Sequence, residues 1–572
     1  RAAIVDEAAP LGIKKHLLSF ALDDLPMMEP ADGSGRSVQE ADLTAARFAV
    51  GQHLRATFGY RNEQIPHSRR NEVLRSAVEF LFGEVRRVID EANPDGLLET
   101  LMTANERLIA ESERRRTILA AREATYPVSA TESRDEVART NQAAVCCRFL
   151  VEYATAQPPS GSARWSMSRY DDALAAAAEL LDWGNLSDAI HGELTTMDLL
   201  VRDDGQLRLV EYDRYEAGRG AYFDVYVEEE RERSRRRFAS EPPHAASEAS
   251  TLLPLRGPDP YVEAEAGVKL TELGELFVAA NLVARDRNDQ VVTLPQAEAV
   301  AALADVLEWD GDSAARASRI SAAIAYLSMG PRAKFLAPPG GKAPDTYPWL
   351  FARRWSYNRR PFVVRESDAG EEILWGRRHV VQAMQILIGQ MTSGRYQALA
   401  ETSLLRRELG RLAREDGAAF EREVARVLRD DGRLAVTERL RQLGDERLQR
   451  APGQSLGDID VLAGDLSTRT LWALECKDLS GAMTAAEIAR EMSEHFRAIG
   501  STSMTKHAER VAWLKARIPA ALQLLDLSGA AEGWAVRGLF VTERPVHAPY
   551  IEDVAFPIVP LNQLVGHLRQ AA

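Results

Sequence analysis

The chain has 572 residues, of which 45% are hydrophobic and 27% charged, the balance of a soluble globular protein long enough for several domains. No apolar run reaches membrane-spanning length and the amino terminus carries no secretory pattern, so the expectation is a cytoplasmic protein with no membrane partner. Three cysteines, with Cys146 and Cys147 adjacent, fit a reducing compartment and argue against a cysteine-based zinc site.

The net charge is −14, an unfavourable balance for binding phosphates non-specifically. Residues 401–572 hold 23 Lys+Arg against 25 Asp+Glu, so the acidity lies mainly in the first 400 residues. Any nucleic-acid affinity of the chain is expected to be modest and salt-sensitive.

Residues 1–125 read as a helical region. Ala45 to Phe58, Asn71 to Asn93 and Leu97 to Glu123 carry apolar residues at three- and four-residue spacing, separated by Gly, Asn and Pro breaks. Arg69-Arg70 and Arg114-Arg115-Arg116 fit solvated helix faces better than phosphate sites. Residues 134–238 read as a helical unit with a β-hairpin. Its helices run from Gln142 to Ala156 and from Tyr170 to Asp182, and its hairpin from Leu199 to Val210 closes at Asp203-Asp204-Gly205. Glu228 to Arg237 passes from acidic to basic along one helix, as the helix dipole favours; a DNA contact at Arg233, Arg235, Arg236 and Arg237 is the lesser alternative.

Residues 239–260, rich in Pro, Ser, Ala and Glu, read as a linker, and 261–400 as a helical unit with a basic and aromatic hairpin segment. Residues 262–330 are helical in pattern throughout. Arg353, Arg354, Arg359 and Arg360 interleave with Trp355 and Tyr357, a spacing that could track phosphates and stack bases. The same pattern equally describes core aromatics beneath a solvated or acid-paired arginine face. Phe362 to Arg365 and Ile373 to Gly376 form a hairpin around Asp368-Ala369-Gly370. Gly340-Gly341-Lys342 lacks the P-loop frame.

The most informative stretch lies within residues 405–572. Phe420, Val424, Val427 and Leu428 make a helical apolar stripe with Glu421 beside it. Gly457-Asp458-Ile459-Asp460-Val461-Leu462 and Leu471-Trp472-Ala473-Leu474-Glu475-Cys476-Lys477 then read as adjacent strands around the turn residues Gly464 to Thr468. Period two puts Glu475 and Lys477 on one face beside Asp460, with Cys476 on the other as a small core group. An edge-strand ion pair would explain a lone Glu-x-Lys. Only eight of the 71 basic residues are lysines, however, so a lysine at an interior strand position suggests that a compact ammonium is needed there.

Helical patterns follow from Thr484 to Ile499, with a Thr cap, and from Lys506 to Leu525. Strands follow from Val536 to Thr542 and from Phe556 to Pro560. Lys506, His507 and Arg510 share one helix neighbourhood, where a phosphate contact and plain surface placement are equally compatible with the pattern. The fold class is multidomain: a mainly α-helical N-terminal region with small β-hairpins, and a C-terminal α/β domain with a mixed central sheet flanked by helices.

The order Gly417-x-x-Phe420-Glu421-x-x-Val424, Gly457-Asp458-Ile459-Asp460-Val461, Glu475-Cys476-Lys477 resembles the PD-(D/E)xK nuclease superfamily, of restriction-endonuclease-like fold, in its Mrr-like branch. The resemblance leaves the first 400 residues unassigned, and the chain departs from the family pattern in lacking a Pro-Asp dipeptide. It implies a Mg²⁺-dependent deoxyribonuclease, Mn²⁺ being able to substitute. Asp460, Glu475 and the backbone carbonyl of Cys476 would be metal ligands, Lys477 would orient the attacking water, and Glu421 would act through water or on Lys477. Asp458, two residues from Asp460, falls at the edge of the site. The implied partners are DNA and either other protein subunits or a second copy of the chain. The implied setting is bacterial restriction or antiviral defence, with the N-terminal region recognising the target or regulating the nuclease. The competing expectation is a non-catalytic nucleic-acid-binding or scaffold protein with a degenerate nuclease domain.

Overall fold

The computed structural model describes residues 35–570 apart from 126–129, 196–197, 203–204, 210–213, 241–256, 352, 369, 398–402, 452, 480 and 528–530. Most of the linker expected at 239–260 and the hairpin-closing residues Asp203 and Asp204 lie outside the described residues, as do the side chains of Arg233, Arg235, Arg236 and Arg237. Among the described residues, 17 α-helices and several small sheets form two compact units, and no described helix is long and apolar enough to cross a membrane.

The first unit takes the described residues of Arg1–Ser187, Asp198–Leu209 and Ala249–Leu409. Its early helices, Glu40–Phe58, Arg70–Asp90, Leu97–Thr125 and Ala130–Ala156, arise where apolar spacing predicts them. Arg70–Asp90 shows the cause: Val73, Leu74, Ala77, Leu81, Val85 and Val88 fall on one buried stripe. Farther on, a four-stranded sheet runs in the order Val291–Pro295, Gly370–Gly376, Phe362–Ser367, Ser328–Met329. Its first strand corrects the expectation of helix throughout 262–330. Val291, Val292 and Thr293 are β-branched, and the strand pairs with Gly370–Gly376 along its whole length.

The second unit takes the described residues of Asp188–Met197, Val210–Glu248 and Gly410–Ala572. Its centre is a five-stranded mixed sheet built from β1 (Leu434–Leu440), β2 (Ile459–Asp465), β3 (Thr470–Lys477), β4 (Ala535–Thr542) and β5 (Ile558–Pro560), in the spatial order β5-β4-β3-β2-β1. The first three strands are antiparallel neighbours, whereas β3, β4 and β5 are parallel. Helix α1 (Leu404–Asp430) covers one face through Phe420, Val424, Ala425 and Leu428, which pack with Val461, Trp472, Leu474 and Cys476. The other face receives Val511 and Leu514, packed with Leu462, Leu471 and Ala473.

The Thr cap expected at Thr484 is present, as part of a capping box with Glu487, and it opens α2 (Ala485–Glu491), which ends short of the expected Ile499. That helix passes into a π-helical turn at Met492–Phe496. The single helix expected from Lys506 to Leu525 is two, α3 (Ser503–Lys515) and α4 (Ile518–Leu524), because Pro519 starts a new helix rather than continuing the old one. Helix Arg214–Ser240 also belongs to this unit: Tyr222 stacks on His547 with ring centroids 3.6 Å apart, and Arg214 pairs with Asp553 at 2.9 Å.

Candidate active site

Both faces of β2 and β3 are buried, which follows from their near-continuous apolar sequence. Val461 sits opposite Leu474 and Leu462 opposite Ala473, so one further step of this register sets Asp460 across from Glu475. The backbone ladder ends there. The Cys476 N–H instead donates to Asp460 Oδ2 at 2.7 Å. On the other side of β2, Ile459 faces Leu440 and Val461 faces Glu438, which sets Arg439 across from Asp460. Arg439 adopts a φ of +51°, so this ladder is also interrupted at Asp460. The two irregularities leave Asp460 at a gap in the sheet, flanked by a carboxylate and an arginine.

Glu475 lies at the centre of a charge cluster. Lys477 Nζ is 2.8 Å from its Oε1, the Arg510 guanidinium pairs with its Oε2, and His507 Nδ1 lies 3.8 Å from the same oxygen. Arg510 also donates from Nε to the Leu456 carbonyl at 2.8 Å. The next residue, Gly457, has a φ of +85°, and a Cβ there would lie 2.9 Å from Arg510 Nη2. A glycine at this turn therefore admits the arginine that holds Glu475.

Asp460 and Glu475 are 7% and 3% exposed, and their environments set them apart. Burial and the Glu475 charge push the Asp460 carboxyl up to about 7, against the pull of Lys477 and the Cys476 N–H. Burial acts on Glu475 in the same direction, but Lys477, Arg510 and His507 outweigh it and hold this carboxyl below its usual range. For Lys477, burial favours the neutral amine, but Glu475 and Asp460 prevail and keep it protonated. Burial pushes His507 down to about 4, so it is neutral at physiological pH. The result is one firmly ionised carboxylate, one poised near neutrality, and two cations.

Glu421 stands farther out. Arg439 Nε donates to its Oε2 at 2.8 Å, and its charge reaches Asp460 only as a minor contribution. Asp458 faces Arg441 at 3.4 Å at the margin of the cluster. Cys476 is buried among Phe420, Val424 and Leu539, and burial holds its thiol well above the ordinary range, so the side chain is not a nucleophile. The three residues expected to share a neighbourhood on α3 divide: Lys506 is exposed, whereas His507 and Arg510 are buried toward Glu475. Sequence reasoning treated Arg510 only as a candidate phosphate contact and passed over Arg439. Only strand register and helix packing reveal their positions.

Among the described residues, no group of three or more His, Cys, Asp and Glu side chains could hold a metal ion. Asp460, Glu475 and the Cys476 carbonyl amount to two carboxylates and one backbone oxygen. That donor set fits Mg²⁺, which takes one or two protein carboxylates and keeps several waters. The elevated Asp460 pKa marks a carboxyl with too little positive charge around it, the electrostatic condition a cation would relieve.

The basic and aromatic segment in the first unit lies in the core. Arg353 pairs with Glu152, which also accepts the Tyr357 N–H at 2.7 Å. Arg354 pairs with Asp345 at 2.9 Å, and Arg359 donates to Gln390 at 2.8 Å. Arg360 donates to the carbonyls of Tyr326 and Ser328 and lies 4.1 Å over the Trp355 ring. Tyr357 is fully buried and stacks on His379. Of the two alternatives for this segment, the geometry favours packing over nucleic-acid contact. Each of the four arginines has an internal partner, and Arg353, Arg359 and Arg360 are each less than 10% exposed.

A family model described as Upx-like, anti-phage protein Upx-like, matches residues 259–527. The match runs through the four-stranded sheet of the first unit and through β1, β2 and β3 of the second. No curated protein and no solved structure matches the chain.

Proposed function

We propose that the second unit is a restriction-endonuclease-like domain and that the chain is a Mg²⁺-dependent deoxyribonuclease acting in phage defence. The observation that carries this reading is the convergence of Asp460, Glu475 and Lys477 at a gap between two buried strands. The family match, by its description, supports the defence role. The nuclease chemistry rests on the site itself.

Asp460, Glu475 and the Cys476 carbonyl would hold the cation. When bound, a divalent cation offsets charge building on the phosphate oxygens and favours ionisation of water. Lys477, fixed against Glu475, would donate hydrogen bonds to the attacking water or to a non-bridging oxygen as negative charge develops. Arg510 keeps Glu475 in place, and His507, buried beside it, stays neutral. Lys506, exposed on α3, is available to a flanking phosphate.

The test is cleavage of plasmid, linear duplex and single-stranded DNA, with an RNA control, in Mg²⁺ or Mn²⁺. Cutting by the wild type that disappears in both Lys477→Ala and Asp460→Ala supports the assignment. Cutting that survives both substitutions refutes it. One observation favours a second reading, a nuclease-like scaffold: Lys477 and Arg510 already occupy both oxygens of Glu475. That reading predicts no Mg²⁺- or Mn²⁺-dependent thermal shift that is lost in Asp460→Ala.

A further inference from the structure

Arg439 has no role in the catalytic scheme above, yet it faces the same gap. Its register position on β1 falls across from Asp460 on β2, at the point where the two strands fail to pair. Its φ of +51° is a conformation that glycine adopts freely and a residue with a Cβ adopts only with strain. Strained backbone of this kind concentrates at functional sites. The side chain at this strained position is also the one committed to Glu421.

Glu421 engages the guanidinium at Nε, and among the described residues Nη1 and Nη2 make no hydrogen bond. The side chain is 46% exposed, against 21% for Glu421. Arg439 is thus held at its inner nitrogen, with the outer fork turned free. A fixed fork with two available NH₂ groups suits the oxygens of a phosphate. Asp458 and Asp460 both contribute to the field at this guanidinium, so Arg439 is the cation placed to offset carboxylates that would otherwise repel an incoming polyanion.

We propose that Arg439 is a substrate-binding residue that grips a backbone phosphate of the nucleic-acid strand beside the scissile bond, with Glu421 as the residue that positions it. The inference rests on the nuclease reading and gives Glu421 a role through Arg439 rather than through the cation.

The experiment uses the full chain silenced by Lys477→Ala and measures binding of labelled duplex and single-stranded oligonucleotides by fluorescence anisotropy across a salt series. Arg439→Gly and Arg439→Lys are each added to it. Glycine suits the left-handed backbone, so Arg439→Gly should melt at or above the parental temperature. Its affinity should fall about tenfold, and the slope of log affinity against log salt should decrease by about one, as expected for loss of a single phosphate contact. Arg439→Lys keeps the charge but not the fork and should fall between the two. Unchanged affinity and slope in Arg439→Gly, with the wild type cutting DNA, would overturn the role of Arg439 and leave the nuclease reading standing. A wild-type chain that neither binds nor cuts any nucleic acid would overturn both.

Discussion

Asp460→Asn gives the sharpest test of the electrostatic argument, because it removes the charge and keeps an acceptor for the Cys476 N–H. The Asp460 carboxyl titrates at about 7 in the folded chain, against an ordinary value of 3.8. The folded state therefore holds this proton more tightly than the unfolded chain does. The stability contributed by Asp460 is complete below pH 4 and is lost as pH rises through 7. Between pH 5 and pH 8 the wild type loses about two pH units of this linkage, roughly 3 kcal/mol at 1.36 kcal/mol each. Asp460→Asn loses none, so its advantage over the wild type should grow by about that amount across this range. Urea midpoints, read from hydrogen-exchange protection of β2 and β3 at pH 5 and 8, measure the difference. Mg²⁺ at about a hundred times its Kd would stabilise the wild type by roughly 2.7 kcal/mol, which would nearly cancel the advantage of the variant at pH 8. A variant no more stable than the wild type at pH 8, or an advantage that does not change with pH, would refute the argument.

Other consequences are equally open to measurement. Arg353→Ala leaves Glu152 buried without its cation and should destabilise the first unit by about 3–5 kcal/mol, read by thermal unfolding. Nucleic-acid affinity below the transition should be unchanged. Gly457→Ala places a Cβ 2.9 Å from Arg510 Nη2 on a left-handed backbone; it should lose at least about 1 kcal/mol in urea and weaken Mn²⁺ binding, since Glu475 loses its brace. Cys476, with its thiol pushed well up by burial, should react with iodoacetamide only after denaturation, as mass spectrometry of native and unfolded samples would reveal.

The parts legible in the sequence were those fixed by local pattern. Arg70–Asp90 and Leu97–Thr125 announce themselves through apolar spacing, and the β2–β3 hairpin through two apolar runs and a polar turn. From that hairpin, Asp460, Glu475 and Lys477 could be placed together before any coordinates. Strand β1 was missed because it is a half-buried edge whose alternation is weak, and Val291–Pro295 because helical sequence surrounds it. The core position of Arg353 could not be read at all. Arginine is ordinarily a surface residue, and the carboxylate that justifies its burial, Glu152, lies 201 residues away. Arg510 presents the same problem, since its partner Glu475 is 35 residues distant on another element.

The second unit is assembled from three separated stretches of chain, and helix Arg214–Ser240 supplies part of its packing through Tyr222 and Arg214. During synthesis this helix leaves the ribosome more than 200 residues before the β-strands that it helps to enclose. It must wait for them, and they cannot complete the sheet's surroundings without it. A fragment released by cutting the chain near residue 401 would therefore lack one of its own layers. The packing of the second unit is therefore completed only after its strands have joined a helix made long before them, and proteolysis between the two would dismantle that unit rather than set it loose.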